Sequence, residues 1–121
     1  MVETESMPKE EDEGGVLALG GNIELAGFSS LDRDSMIVLK KIVGNYAKRF
    51  SETCKSFQKL SLKMKQVHVS GDERAGRYEL HAMLADGGKN YVSEHVDYNL
   101  FVAVDKVFKK IESELNKGSL F

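Results

Sequence analysis

Residues 57–65 read FQKLSLKMK, and the alternation of apolar and polar side chains in this stretch decides the fold. Successive side chains of a β-strand point to opposite faces, so a period of two predicts a strand with one buried and one solvated face. The residues of the apolar face are Leu60, Leu62 and Met64. The residues of the solvated face are Ser61, Lys63 and Lys65.

A second alternating run follows residues 70–76, which are rich in turn formers and predict a loop. The apolar residues of this run are Tyr78, Leu80, Ala82 and Leu84. The sequence Asp86-Gly87-Gly88 then predicts a tight hairpin, because glycine readily adopts the positive φ angles of two-residue turns. Residues 89–94 are therefore the expected return strand.

An earlier strand is predicted at residues 22–28, where Ile23 and Leu25 alternate with their neighbours and Gly27 closes the run. The apolar patch at 16–19 fits either an added edge strand or an arm, and the sequence leaves both open.

Two amphipathic helices complete the pattern. The first follows a cap at Ser30 or Asp32, since either side-chain oxygen can accept from the free amides of the first turn. Its apolar stripe is Met36, Leu39, Val43, Tyr46 and Phe50. Gly44 costs about 1 kcal/mol relative to alanine inside a helix, so we expect another backbone to approach it closely. The second helix is predicted to start after Asn99 and to end at Gly118. Its apolar side is Leu100, Phe101, Val104, Val107, Phe108, Ile111 and Leu115.

The order strand, helix, three strands, helix predicts an α+β fold. The simplest arrangement is a β-α-β-β-β-α two-layer sandwich, with a four-stranded mixed sheet and both helices packed on one face. The first two strands, joined through a helix, should be parallel neighbours. We expect residues 1–15 to be a disordered acidic leader and residues 16–121 to form a single domain.

Length and composition exclude several classes of protein. At 121 residues the chain is too short for a Rossmann fold or a (β/α)₈ barrel. It has one cysteine, Cys54, and so neither an internal disulfide nor a pair of cysteines for zinc. No apolar run approaches the roughly 20 residues that cross a bilayer. A cytoplasmic protein without a membrane partner is the expectation.

The net charge of −2 conceals a segregation of charge. Residues 1–13 hold six of the 19 acids and one of the 17 bases, which leaves 13 acids and 16 bases in the remainder. Residues 33–65 alone carry nine bases and two acids. Such a block suits an anionic partner, although a solvated helix face with chance asymmetry would give the same pattern.

The start of the second helix reads Asn99-Leu100-Phe101-Val102-Ala103-Val104-Asp105. It resembles the motif of the ribosome hibernation promoting factor and ribosome-associated inhibitor family (the sigma-54 modulation protein family), an acidic residue followed by Met-Tyr-x-Ala-Ile-Asp/Asn. Ala103 and Asp105 match, the apolar positions are conservative replacements, and Asn99 and Phe101 depart from the acid and the tyrosine. In the first helix, Ile42-x-x-x-Tyr46-Ala47-Lys48-Arg49-Phe50 resembles the family's apolar-x-x-x-Leu-Ala-Lys-Leu segment. The resemblance covers residues 22–117, as in a divergent short form of that family.

The resemblance implies a fold distantly similar to the double-stranded RNA-binding domain. It also implies a stasis factor that occupies the decoding channel of the small ribosomal subunit, where messenger RNA and tRNA bind, and so inhibits translation or preserves idle ribosomes. Such a protein acts on ribosomal RNA by occupancy, with no catalytic residue, cofactor, metal or small-molecule substrate. We expect a monomer, with a dimer through an edge strand left open.

Lysine and arginine neutralise phosphates, so the basic residues of the two helices are the predicted contacts, converging on one phosphate-matching surface with two strand lysines in a secondary role. The predicted RNA-binding residues are Lys40, Lys41, Lys48, Arg49, Lys63, Lys65, Lys106, Lys109 and Lys110.

Other functions are weaker interpretations of the same residues. A general double-stranded-RNA-binding module and a protein-interaction domain using an edge strand or the open sheet face both fit the fold. The histidines, placed on a strand end, a strand and a loop, lack metal-binding spacing: His68, His81 and His95. We expect Cys54 to be inert and partly buried, since no histidine is placed beside it by local spacing.

Overall fold

A computed structural model describes residues 17–19, 22–69 and 72–119, with side-chain surroundings for residues 22–67 and 76–117. The predicted leader, residues 1–15, lies outside the described residues. The described elements follow in chain order: β1 (Leu17–Leu19), β2 (Ile23–Ala26), α1 (Arg33–Thr53), β3 (Phe57–Val69), β4 (Asp72–Asp86), β5 (Lys89–Asp97) and α2 (Leu100–Ser119).

The strands form one mixed sheet in the order β1-β2-β3-β4-β5. β2 and β3 are parallel neighbours, as predicted, with Leu25 opposite Leu62, and the other pairs are antiparallel. The α+β arrangement with two helices on a four-stranded mixed sheet is confirmed. β1 pairs with β2 as an added edge strand, which decides between the two alternatives for the 16–19 patch and gives the sheet a fifth strand.

The core lies between the helices and one face of the sheet. Leu60, Leu80 and Leu84 of the sheet are fully buried there, against Val104 and Phe108 of α2. The other face of the sheet carries the alternate residues of the same strands and stays open to solvent. This open face includes Lys63, Lys65, His81, Val92 and Glu94. Within the described ranges, no helix is long and apolar enough to cross a bilayer.

Both helix starts are capped as the sequence predicts. The carboxylate of Asp32 accepts a hydrogen bond from the Ser35 amide at 3.1 Å. Hydrogen bonding to the side chain and then to the backbone of Ser35 lowers the pKa of Asp32. The side-chain oxygen of Asn99 accepts from the Val102 amide at 3.1 Å. The predicted stop at Gly118 is wrong, because α2 runs to Ser119.

Two strand boundaries differ from the prediction. In both cases the backbone pairing between strands continues beyond the residues in which apolar and polar side chains alternate. Pairing of β3 with β4 extends, through an irregularity, to Val69 opposite Asp72, so most of the predicted 70–76 loop is strand. β5 extends to Asp97, and His95, which we expected in a loop, lies in this strand.

Glycine conformations confirm one prediction and correct another. Gly87 and Gly88 have φ of 56° and 89°, as a tight hairpin requires. A Cβ on Gly27, whose φ is 86°, would lie 2.2 Å from the carbonyl oxygen of Met64, so only glycine fits there. The expected close approach at Gly44 is wrong, since nothing lies within 4 Å of a Cβ built on it.

Candidate nucleic-acid interface

The two helices pack side by side and run in the same direction. The Tyr46 hydroxyl donates to Asp105 Oδ1 at 2.6 Å, and Arg49 Nη2 lies 2.5 Å from Glu112 Oε2. Tyr46 precedes Arg49 on α1, and their partners Asp105 and Glu112 follow in the same order on α2, so the two helices are parallel. The Phe108 ring packs beneath them, with its centroid 5.1 Å from that of Tyr46. We call these five residues the interhelix seam.

The seam holds its charges in internal pairs. Burial, and then the hydrogen bond to Asp105, raise the pKa of Tyr46 above its ordinary value. That hydrogen bond, with the ion pair to Lys109 at 3.3 Å, lowers the pKa of Asp105. The Arg49 guanidinium also lies over the Tyr46 ring at 4.6 Å. Two of the predicted RNA contacts, Arg49 and Lys109, are thus already partnered by carboxylates.

A different set of cations lies on the side of α1 that faces away from α2. Lys41 and Lys48 are seven residues apart and therefore share a helix face. Arg49 contacts α2, and Lys48 is rotated about 100° from it around the helix axis. Lys40 and Arg33 lie on the adjoining flank, toward the β1 edge of the sheet. All four are exposed, and none forms an ion pair with a described residue. We call Arg33, Lys40, Lys41 and Lys48 the α1 basic face.

Lys110 and Lys117 of α2 lie on the opposite flank, beside the β5 edge. Lys110 Nζ donates to the backbone carbonyl of Glu94 at 2.7 Å, and this contact fixes Lys110 over a groove between α2 and β5. Ser93 Oγ, also in this groove, donates to the Val107 carbonyl at 2.6 Å. Lys106 is exposed one turn earlier on the same flank, where it makes no ion pair with a described residue.

The predicted strand contacts lie on the far side of the molecule. Lys63 and Lys65 alternate with buried Leu62 and Met64, so their side chains point to the open face of the sheet, away from both helices. Glu79 stands opposite Lys65 across β3 and β4.

The expectation that the basic residues of the two helices converge on one phosphate-matching surface is therefore wrong. The structure divides the predicted cations among the α1 basic face, the α2 flank, the seam and the open sheet face. The carboxylates of Asp105 and Glu112 lie between the two helices. Sequence spacing placed the cations on helices and strands correctly but could not show which of them meet a carboxylate from another element.

A cluster that local spacing missed lies on the open face. Glu79 and His81 are two residues apart on β4, and Glu94 stands opposite His81 on β5. His81 Nε2 is 2.7 Å from Glu79 and its Nδ1 is 3.7 Å from Glu94. One ligand atom from each of the three side chains lies within 4.8 Å of the others, and imidazole and carboxylate could together hold a divalent transition metal. The side chain of His68 lies outside the described residues.

Cys54, which follows α1, is buried at 8% exposure. Burial, and then the Asp86 carboxylate, raise the pKa of its thiol to about 11. The thiolate is the nucleophilic form of cysteine, so this side chain is unreactive near neutral pH, in agreement with the prediction of an inert cysteine.

Comparison with known proteins found no matching family model and no matching curated protein. The resemblance of residues 99–105 to the hibernation-factor motif thus stays a prediction from sequence.

Proposed function

We propose that this chain is a ribosome-binding stasis factor, which occupies the RNA-lined decoding channel of the small subunit and blocks translation or preserves idle ribosomes. The α1 basic face is the single observation that carries the proposal. Its four exposed cations have no carboxylate partner among the described residues, so their charge is available for phosphates. The resemblance of residues 99–105 to the hibernation-factor motif supplies the ribosome as the source of those phosphates.

The seam gives this proposed surface its rigidity. Parallel helices in contact have axes roughly 8–10 Å apart, and the Tyr46–Asp105 and Arg49–Glu112 contacts keep them in register. The α1 basic face and the α2 flank with Lys106 are thereby held at a fixed separation. Folded RNA is recognised mainly by its shape and its backbone, for which fixed rows of cations are suited.

Binding by this mechanism should depend steeply on salt. Each lysine or arginine that neutralises a phosphate releases a condensed counterion, so affinity falls as salt concentration rises. Occupancy requires no bond to be made or broken, and we therefore propose that the protein acts without catalysis.

Cosedimentation with small ribosomal subunits in a low-salt sucrose gradient tests this function, alongside inhibition of cell-free translation. The full chain should move with the subunits and inhibit. The double variant Lys41→Glu with Lys48→Glu should lose both properties while keeping the circular dichroism spectrum of the parent. The matched control, Lys63→Glu with Lys65→Glu, makes the same change in net charge on the open face of the sheet, away from the helices, and should retain them. The assignment of the surface would be contradicted if only the control lost binding, or if both variants kept it.

A general double-stranded-RNA-binding module uses the same surface and is the nearest alternative. It would bind bare duplex RNA as tightly as it binds small subunits. Preference for subunits by an order of magnitude or more at equal salt would favour the stasis factor.

A protein-interaction domain is favoured by a separate observation on β5. Val92 is 70% exposed and Val96 is 47% exposed, and the two lie on the open face of an edge strand. Exposed apolar side chains beside an unpaired strand edge are typical of strand-addition sites. Partner binding that is insensitive to salt and is lost in Val92→Glu would favour this function over RNA binding.

A further inference from the structure

We propose that the acidic segment of residues 1–13 binds the α1 basic face of its own chain and competes there with RNA. Only the competition with RNA rests on the proposed function, because the docking itself is a property of the protein alone. The segment holds six acids and one base, whereas the four cations of the α1 basic face have no partner among the described residues.

The topology brings the start of β1, which follows the acidic segment in the chain, to the same edge and the same end of the sheet as the start of α1. β1 is antiparallel to β2, and Leu17 stands opposite Leu25, one residue before the end of β2. The chain leaves that end of β2 and enters α1 seven residues later, at Arg33. Leu17, which directly follows residues 1–16 in the chain, therefore lies beside the start of α1, on the side of that helix that faces away from α2.

The segment is long enough to reach every cation of the face. From Arg33 to Lys48 the helix rises by roughly 22 Å, at 1.5 Å per residue. Thirteen extended residues span up to about 45 Å, and residues 14–16 connect them to β1. The connection is short, so the local concentration of the acids at the face is on the order of millimolar.

The α1 basic face suits the acidic segment better than the open sheet face does. On the open face, Lys59 already pairs with Glu24 at 3.0 Å, and the carboxylates of Glu79 and Glu94 lie among the remaining cations. On α1 the acids are Asp34 and Glu52, near the two ends of the helix. Gly44 leaves open space in the middle of the face, where nothing lies within 4 Å of a Cβ position. A passing chain can approach the helix closely at that point.

The test uses the full chain with a neutral segment, in which Asp12→Asn is combined with Glu→Gln at the segment's five glutamates: Glu3, Glu5, Glu10, Glu11 and Glu13. Without RNA, NMR amide shifts should change at Lys40, Lys41 and Lys48 between parent and variant, and the changes should vanish at high salt because exposed charges are then screened. The β4–β5 hairpin at residues 87–90 is the internal control and should not shift. No change on α1, changes centred on the open sheet face, or changes that grow with protein concentration as for a second copy, would each overturn the docking.

RNA binding is measured on the same two proteins. The neutral variant should bind small subunits about five- to tenfold more tightly at low salt, as expected for removal of a weak competitor held at a millimolar effective concentration. Equal affinities, with docking seen by NMR, would overturn the competition. If neither protein binds subunits while the α1 shifts are observed, the proposed function fails and the docking stands.

Discussion

The interhelix seam and the α1 basic face use the same kinds of side chain for opposite purposes. In the seam, the cation Arg49 lies against Glu112 of α2 and so links the two helices. Lys109, next to the seam, is paired with Asp105 of its own helix. Lys41 and Lys48 of the α1 basic face lie on a different side of α1 from Arg49, and neither forms an ion pair with a carboxylate among the described residues. Basic residues that are clustered in the sequence therefore do not all form one surface. Some of them pair with carboxylates of a neighbouring element, and others remain available to a partner.

The largest expected effect comes from opening the seam at its apolar base. Phe108 is fully buried between the rings of Tyr46 and Phe50, so Phe108→Ala removes their common contact and leaves a cavity. The free energy of unfolding should fall by about 3–5 kcal/mol in urea titrations. Val92→Ala, at a position that is 70% exposed, is the control and should change it little. Equal losses in the two variants would show that the seam is not packed as described.

A smaller effect is expected from removing the seam's central hydrogen bond. Tyr46→Phe should lower the free energy of unfolding by about 1 kcal/mol. This is less than a buried hydrogen bond to a charged group contributes, because half-exposed Asp105 keeps contact with water. Urea titrations with Tyr98→Phe as the control measure this, since Tyr98 is 63% exposed.

The pH dependence of that difference identifies the hydrogen bond. The pKa of Asp105 is lowered in the folded state, so the advantage of the parent is present above the ordinary carboxyl pKa of about 3.9 and is lost as pH falls through the folded value. The pKa of Tyr46 is raised, so the advantage also declines above about pH 10, where unfolded tyrosine ionises. A difference that stays constant from pH 2 to pH 11 would contradict this account.

Local periodicity was sufficient to predict the helices, the main strands and the buried faces. The alternation of Leu60, Leu62 and Met64 placed Lys63 and Lys65 on the solvated face, and the structure agrees. Periodicity failed where backbone pairing continues without an apolar pattern, as between Val69 and Asp72.

The candidate site was only partly predictable, because it depends on contacts between residues far apart in sequence. Arg49 and Glu112 are 63 residues apart, and no spacing rule pairs them. The same holds for His81 and Glu94, which meet through the register of β4 with β5. Conversely, the seven-residue spacing of Lys41 and Lys48 was enough to place them together, since a single helix sets their geometry.

Comparing two charge-neutralised variants tests the division between seam and surface most directly. One variant is Lys41→Gln with Lys48→Gln, and the other is Arg49→Gln with Lys109→Gln, so both lose the same net charge. The measurement is affinity for small ribosomal subunits as a function of salt, together with the thermal unfolding midpoint. The α1 pair should reduce the slope of log affinity against log salt by about two, since each phosphate contact contributes about one, and should leave the midpoint unchanged. The seam pair should lower the midpoint and keep the slope. A seam pair that loses the slope while the α1 pair keeps it would contradict the account.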